Sequence, residues 1–173
     1  MFCMGTDFMK RRVFGPLGMN RTGVGRIGFD NHATGYARSN NGKVNEAQPD
    51  IPAFGVPSGG LETSLNDLLI LEASLRMRTP LKLPALTQMI TPAKGFDVTP
   101  GWFARHAAGV TPISKNGSAG GFSSFFSFVP ERSDAIIMLR NWQGKGAGIL
   151  GPSNSILEAC CGIPKHGGSE ADE

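Results

Sequence analysis

An α+β fold is what this sequence predicts, on three observations. A leucine-rich helical segment opens at Ser64, two apolar runs at Phe122–Val129 and Asp134–Leu139 are joined by a short polar turn, and a last helical stretch follows at Gly148–Cys161. Loops and helices first, then antiparallel strands, then a closing helix, give that class. The chain divides accordingly into a helical and loop region over 1–95, strands and closing helix over 96–162, and a disordered tail over 163–173.

Each element has its own warrant. Thr6 can cap a short helix over Asp7–Phe14, which Gly15-Pro16 should stop. From Leu17 to Ser58 the chain is rich in Gly, Asn and Pro and reads as one long loop region. Ser64 with Asp67 three residues on is a capping pair, and Leu65, Leu68, Leu69, Leu71 and Leu75 make an apolar face through Met77, before Pro80. A shorter helix fits Leu83–Ile90, ahead of Thr91-Pro92. Candidate strands follow at Gly101–Arg105 and Thr111–Lys115. The Phe122–Val129 and Asp134–Leu139 pair is aromatic and β-branched, with a turn begun by Pro130. Ile136 to Leu139 is apolar on both faces, which suggests a central strand. The last helix should turn Ile149, Leu150, Ile156 and Leu157 inward, and the polar stretch from Gly162 should fray.

Bulk properties exclude several classes. Forty per cent hydrophobic and 18% charged residues in 173 suit a folded chain rather than a disordered one. A net charge of +3 and a densest basic run of only Lys10-Arg11-Arg12, read as a solvated helix face, mark no nucleic-acid surface. No apolar stretch approaches the roughly 18 residues of a membrane span. The start, Met1 to Asp7, has no basic segment and no long apolar segment, so it does not read as a secretory signal. Three cysteines, Cys3, Cys160 and Cys161, form no disulfide framework and leave the compartment unread.

The stretch that carries chemistry is Lys115-Asn116-Gly117-Ser118-Ala119-Gly120-Gly121-Phe122. A lysine entering a glycine-rich bend, followed by a two-strand hairpin, resembles the Lys-Thr-Gly element of serine β-lactamases and penicillin-binding proteins. Other segments fit that family in order: Phe14-Gly15-Pro16-Leu17-Gly18-Met19-Asn20-Arg21-Thr22, Gly35-Tyr36-Ala37, Ala53-Phe54-Gly55-Val56 through Ser64-Leu65-Asn66-Asp67, and Gly101-Trp102-Phe103. The resemblance spans Phe14 to Cys160 and is strongest to class C β-lactamases and their esterase and DD-peptidase relatives.

That resemblance implies a β-lactamase/transpeptidase-like fold, of which this chain covers the end of the helical region and the sheet that follows. It also implies acyl transfer through a serine, on a β-lactam, an ester or a D-Ala-D-Ala amide, with no cofactor and no metal. Lys115 would add positive charge to the general-base network and toward a substrate carboxylate. Asn116 stands in for the usual threonine and keeps a hydrogen-bond donor. Gly117 would let substrate approach the backbone. The Ser118 N–H would be one of two oxyanion donors, a device worth about 10²–10³ in rate. Phe54 falls where an aromatic residue walls the side-chain pocket, and Asn141 and Gln143 fall where polar residues meet a carboxylate. Such enzymes usually work in the periplasm or outside the cell.

Two family motifs are missing. No serine has lysine three residues later: Ser58, Ser64, Ser74 and Ser114 are followed there by Leu61, Asp67, Met77 and Gly117. Thr79…Lys82 and Thr91…Lys94 have the spacing but not the serine. The sole tyrosine opens Tyr36-Ala37-Arg38, so Tyr-x-Asn is absent as well. The expectation is a chain beginning past both motifs, with no turnover by itself. The alternative is a non-catalytic binding remnant, or a subunit completing a cleft with a partner chain; an exposed sheet edge would favour self-association. Weaker patterns carry less. Gly23-Val24-Gly25-Arg26-Ile27-Gly28 matches a dinucleotide fingerprint but lacks the strand before it and the helix after it. Cys160, Cys161 and His166 make a poor metal set, because adjacent cysteines cannot easily face one ion. His32 and His106 read as solvated.

Overall fold

A computed structural model of the chain describes residues 7–24, 31–47, 59–79, 82–104, 106, 109–143 and 148–163. They fall into two compact units, Met1–His32 with Ile51–Leu86, and Ala33–Asp50 with Thr87–Glu173.

In the first unit a π-helical turn, Lys10–Phe14, runs straight into a short helix α1 (Gly15–Leu17). Gly15-Pro16 therefore does not stop the helix as expected. Pro16 lies in the first turn of α1, where its missing N–H costs little, and the Gly15 N–H bonds the Lys10 carbonyl. Thr6 lies outside the described residues. The expected long loop holds three short strands. β1 (Gly23–Val24) pairs with β4 (Leu61–Glu62) in this unit, while β2 (Tyr36–Arg38) and β3 (Val44–Glu46) belong to the other. Strands of two or three residues are too short for an alternation to register in sequence.

Helix α2 (Leu65–Arg76) starts where the capping pair predicts, with Ser64 Oγ accepting from the Asp67 N–H at 3.2 Å. Its buried residues are Asp67, Glu72, Ser74 and Leu75, whereas Leu65 and Leu69 are exposed. The leucine spacing thus misjudges the inward face. Polar partners decide it: the Asp67 carboxylate accepts from Thr22 Oγ1 at 2.6 Å and the Arg21 N–H at 2.8 Å, and Glu72 pairs with Arg76 at 2.7 Å. A carboxylate in the first helical turn also sits favourably in the helix dipole.

The next helix, α3 (Leu83–Ile90), has the predicted bounds. After it, β5 (Val98–Thr99), β6 (Trp102–Ala104), β7 (Ile113–Ala119), β8 (Phe122–Phe128) and β9 (Ala135–Arg140) form one antiparallel sheet in that order. A second sheet has the order β10-β2-β3, with β10 (Trp142–Gln143) parallel to β2. Helix α4 (Leu150–Cys161) closes the unit.

β8 is the strand around which the unit packs. Phe126 and Phe128 meet Trp102 on one face, with ring centroids 5.5 and 5.8 Å away. Phe125 lies on the other face, in a core with Val129, Ile149, Leu157 and Ile163, against which Ile136 and Met138 pack. Each buried phenylalanine contributes about 1.5–3 kcal/mol. Ile163 is fully buried, so the frayed tail does not begin at Gly162. Its N–H bonds the Leu157 carbonyl past Gly162 in a left-handed cap, which folds the apolar side chain back onto the core.

Two further expectations need correction. β9 is an edge strand, hydrogen-bonded only to β8 among the described residues, with Ile136, Ile137 and Met138 half-buried and Leu139 exposed. Its two-sided apolarity reflects α4 on one face rather than a strand on each flank. β7 is longer than Thr111–Lys115 and carries the lysine in mid-strand; the bend lies later, at Gly120-Gly121.

That bend is built on a backbone-to-backbone contact. Gly121 has φ +82°, and a Cβ there would stand 2.6 Å from the Ala47 Cβ, the Gly35 carbonyl carbon and the Tyr36 nitrogen. A Cβ on Gly35 would stand 2.6 Å from the Phe122 ring. The expected result for Gly121→Ala is a loss of about 2–4 kcal/mol by denaturant unfolding, from a strained φ and the collision together; a loss below roughly 0.5 kcal/mol would mean that the contact is not tight.

Candidate active site

β7 brings Lys115, Asn116, Gly117 and Ser118 into one extended segment, paired across to Phe126, Phe125, Ser124 and Ser123 of β8. Alternation puts Lys115 and Gly117 on one face and Asn116 and Ser118 on the other. Lys115, Asn116 and Ser118 are exposed, and Gly117 is half-buried. The Lys115 Nζ stands 5.8 Å from the centre of the Phe103 ring, a contact worth about 0.5–1 kcal/mol at an exposed site. Sequence reasoning did not assign Phe103 to the site; only the antiparallel pairing of β6 with β7, which sets Phe103 opposite Ser114, brings it there.

The other flank of β7 matters more. β6 pairs with β7 only at Ala104↔Ile113 and Phe103↔Ser114. From 115 to 119, the edge of β7 turned away from β8 has no strand partner among the described residues. Half of the N–H and C=O groups there point outward, able to take an extended ligand. A Cβ on Gly117 would meet only the Ser124 Oγ, at 2.9 Å, a group that can rotate aside. Internal packing therefore makes little demand for glycine at this position.

Asn141 and Gln143 lie just past β9, as the sequence suggests, and both are engaged within the unit. The Asn141 Nδ2 donates to the Thr34 carbonyl at 2.9 Å, and Gln143 Oε1 accepts from the buried Gly121 N–H at 2.9 Å. The Tyr36 N–H is shared between the Gly121 and Asn141 carbonyls, at 3.2 Å each. Gln143 is thereby a positioning residue for the bend that sets the β7–β8 register. Phe54 lies outside the described residues.

A family model described as Beta-lactamase matches residues 5–153. The chain belongs to the Beta-lactamase family. Solved structures agree on the fold. The octameric penicillin-binding protein homologue from Pyrococcus abyssi aligns with a TM-score of 0.70 at 20% identity, over 92% of this chain and 38% of that one. D-Amino acid amidase from Ochrobactrum anthropi SV3 aligns at 0.66 and 22%, over 82% and 45%. A class C β-lactamase aligns at 0.65 and 20%, over 83% and 48%. This chain therefore spans less than half the length of each of these three. No curated protein matches it significantly.

The other candidate residues of this Beta-lactamase-family chain hold local contacts. No group of three or more His, Cys, Asp or Glu among the described residues could hold a metal, and His166 lies outside them. Cys160 is exposed; burial and then the Asp134 carboxylate push the half-buried Cys161 thiol above its ordinary pKa. The histidines read as solvated do have partners, His32 with Glu62 at 3.5 Å and His106 with Thr111 at 2.8 Å. His106 and Thr111 border an open cavity of about 750 Å³, which Lys115 to Ser118 do not line. Of the fingerprint-like glycine run, Gly23 begins β1 and positions 25–28 lie outside the described residues.

The two kinds of site residue should separate in thermal unfolding. Gln143→Ala, which orphans the buried Gly121 N–H, should cost about 1–3 kcal/mol. Lys115→Ala, at an exposed position, should change stability by no more than about 1 kcal/mol. Equal effects would refute the division.

Proposed function

We propose that this chain is the lysine-bearing portion of an acyl-serine hydrolase, and that its 173 residues do not turn over substrate alone. The observation that carries the reading is the open edge of β7 beside an exposed Lys115. A β-lactam, an ester or a D-Ala-D-Ala amide would lie along that edge. The bare Gly117 leaves its own face of the strand open to close approach.

In this chemistry a serine Oγ attacks the carbonyl carbon, and its proton passes through a general base to the leaving nitrogen or oxygen as the old bond breaks. Water then releases the acyl group. Lys115 would lower the energy of negative charge in that network, and the Ser118 N–H would hold the oxyanion. Asn116 would donate to substrate, with Asn141 and Gln143 at the margin of the site. The attacking serine must come from outside these residues, because no Ser-x-x-Lys exists in them. Family membership and the amide-cleaving name of one structural neighbour support the reaction class.

A second reading, a non-catalytic subunit that completes a cleft with a partner chain, is favoured by the same missing motifs. The octameric state of another neighbour also speaks for it.

A fluorescent penicillin tests the first reading. The chain alone should take up no covalent label. Adding a polypeptide that supplies Ser-x-x-Lys and Tyr-x-Asn should restore labelling, and Lys115→Ala should then lower its rate by about 10²–10⁴. Labelling of a serine in the isolated chain would overturn the inactivity; restored labelling indifferent to Lys115 would overturn its role.

A further inference from the structure

The bend at Gly120-Gly121 decides which backbone groups of β7 face its open edge. Both glycines have positive φ, +55° and +82°, as in the type I′ turn of a two-residue hairpin. Such a turn is closed by a hydrogen-bonded pair, here Ala119 and Phe122. Pairs alternate from there, so Gly117 and Ser124 exchange hydrogen bonds whereas Ser118 and Ser123 do not. The N–H and C=O of Ser118 therefore point away from β8, and no backbone bond to β8 holds that residue itself.

Ser118 is consequently only as fixed as the strand beside it. Ser123, directly opposite, turns its own N–H and C=O the other way, toward Arg140 of β9. Its side chain makes a second tie: Ser123 is buried, and its Oγ donates to the Trp142 carbonyl at 2.7 Å. Trp142 lies in β10, which pairs in turn with Tyr36 of β2. The next residue of β10, Gln143, accepts from the Gly121 N–H, so two ties from one short strand bracket Phe122. Ser127, buried on the same face of β8, has no hydrogen-bond partner for its Oγ among the described residues. A serine on this face is therefore not tied by default. All of these bonds close within the second unit.

We propose that Ser123 is a positioning residue for the Ser118 N–H, holding it at the open edge of β7 through the bond to Trp142, an assignment that rests on the acyl-transfer reading, in which that N–H receives the charge of the carbonyl oxygen. In a pair without backbone bonds the Cα atoms stand roughly 4.5 Å apart, against roughly 5.5 Å in a bonded pair, and the side chains are closer. A displacement of Ser123 is thus passed to Ser118 by contact. An oxyanion donor acts by being in place before the charge develops. Looseness at Ser118 would therefore slow acylation while leaving substrate binding, which other groups along the edge supply, nearly unchanged.

Two measurements on the full chain test this, with Ser123→Ala removing the hydroxyl and Ser123→Thr keeping it. The first, backbone nitrogen relaxation by NMR, needs no catalysis. The Ser118 amide should have an order parameter of about 0.85 in the wild type and in Ser123→Thr, and below about 0.6 in Ser123→Ala, while Phe125 to Phe128 stay rigid in all three. An unchanged Ser118 in Ser123→Ala would overturn the proposal. So would loosening of all of β8, which would make the bond a prop of the sheet at large. The second measurement adds the polypeptide that supplies Ser-x-x-Lys and Tyr-x-Asn and follows labelling by fluorescent penicillin. Ser123→Ala should lower the limiting rate at least about tenfold, part of the 10²–10³ that losing such a donor costs, and Ser123→Thr should restore it. The half-saturating concentration should stay within about twofold. A raised half-saturating concentration at an unchanged rate, or no change in either, would overturn the catalytic role. If even the wild type takes no label, the acyl-transfer reading itself fails, and the Ser118 order parameter still decides the positioning.

Discussion

The contact of Gly121 with Gly35 and Tyr36 is the constraint on which the sheet unit depends. Two backbones approach so closely that neither glycine has room for a methyl group. The approach is fixed by hydrogen bonds on each side: the Gly121 N–H to Gln143, the Tyr36 N–H to the Gly121 and Asn141 carbonyls, and the Ala47 N–H to the Gly35 carbonyl at 2.8 Å. The bend between β7 and β8 is therefore held by the short β10-β2-β3 sheet, not by its own turn residues alone.

The register of the main sheet follows from that bend. With Gly120-Gly121 fixed, Ala119 faces Phe122 and each earlier β7 residue falls opposite its partner, down to Ile113 and Phe128. A slip of one residue would send Phe126 and Phe128 away from Trp102 and expose them. The same register decides that Lys115 and Gly117 share a face and that Ser118 lies level with Ser123. Site geometry and core packing are thus two readings of one strand alignment, and a change that loosens the bend would disturb both.

Much of this was legible in the residues, and the exceptions have physical causes. Helix α3 could be bounded because Pro92 follows it and its apolar spacing is clean; α2 could be started at Ser64 because capping is local chemistry. The inward face of α2 could not be read, because it is set by Arg21 and Thr22 bonding Asp67 from far along the chain. Strands β1 to β3 were hidden by their brevity, and β9 looked central because α4 covers one of its faces. Of the candidate site, the lysine motif was visible as residue types in order. Its open edge was not, since that depends on where β6 ends. Asn141 and Gln143 were visible as polar residues after a strand, but their bonds to Thr34 and Gly121 depend on a distant segment returning beside them.

Native-state hydrogen exchange of the Gly121 and Tyr36 amides tests the central claim most directly, because local opening and global unfolding separate there. If the glycine contact holds the sheet, both amides should exchange only with the slowest amides of β8, at the free energy of global unfolding. Exchange through a low-energy opening while β8 stays protected would contradict it, and would make the bend a consequence of the sheet rather than its constraint.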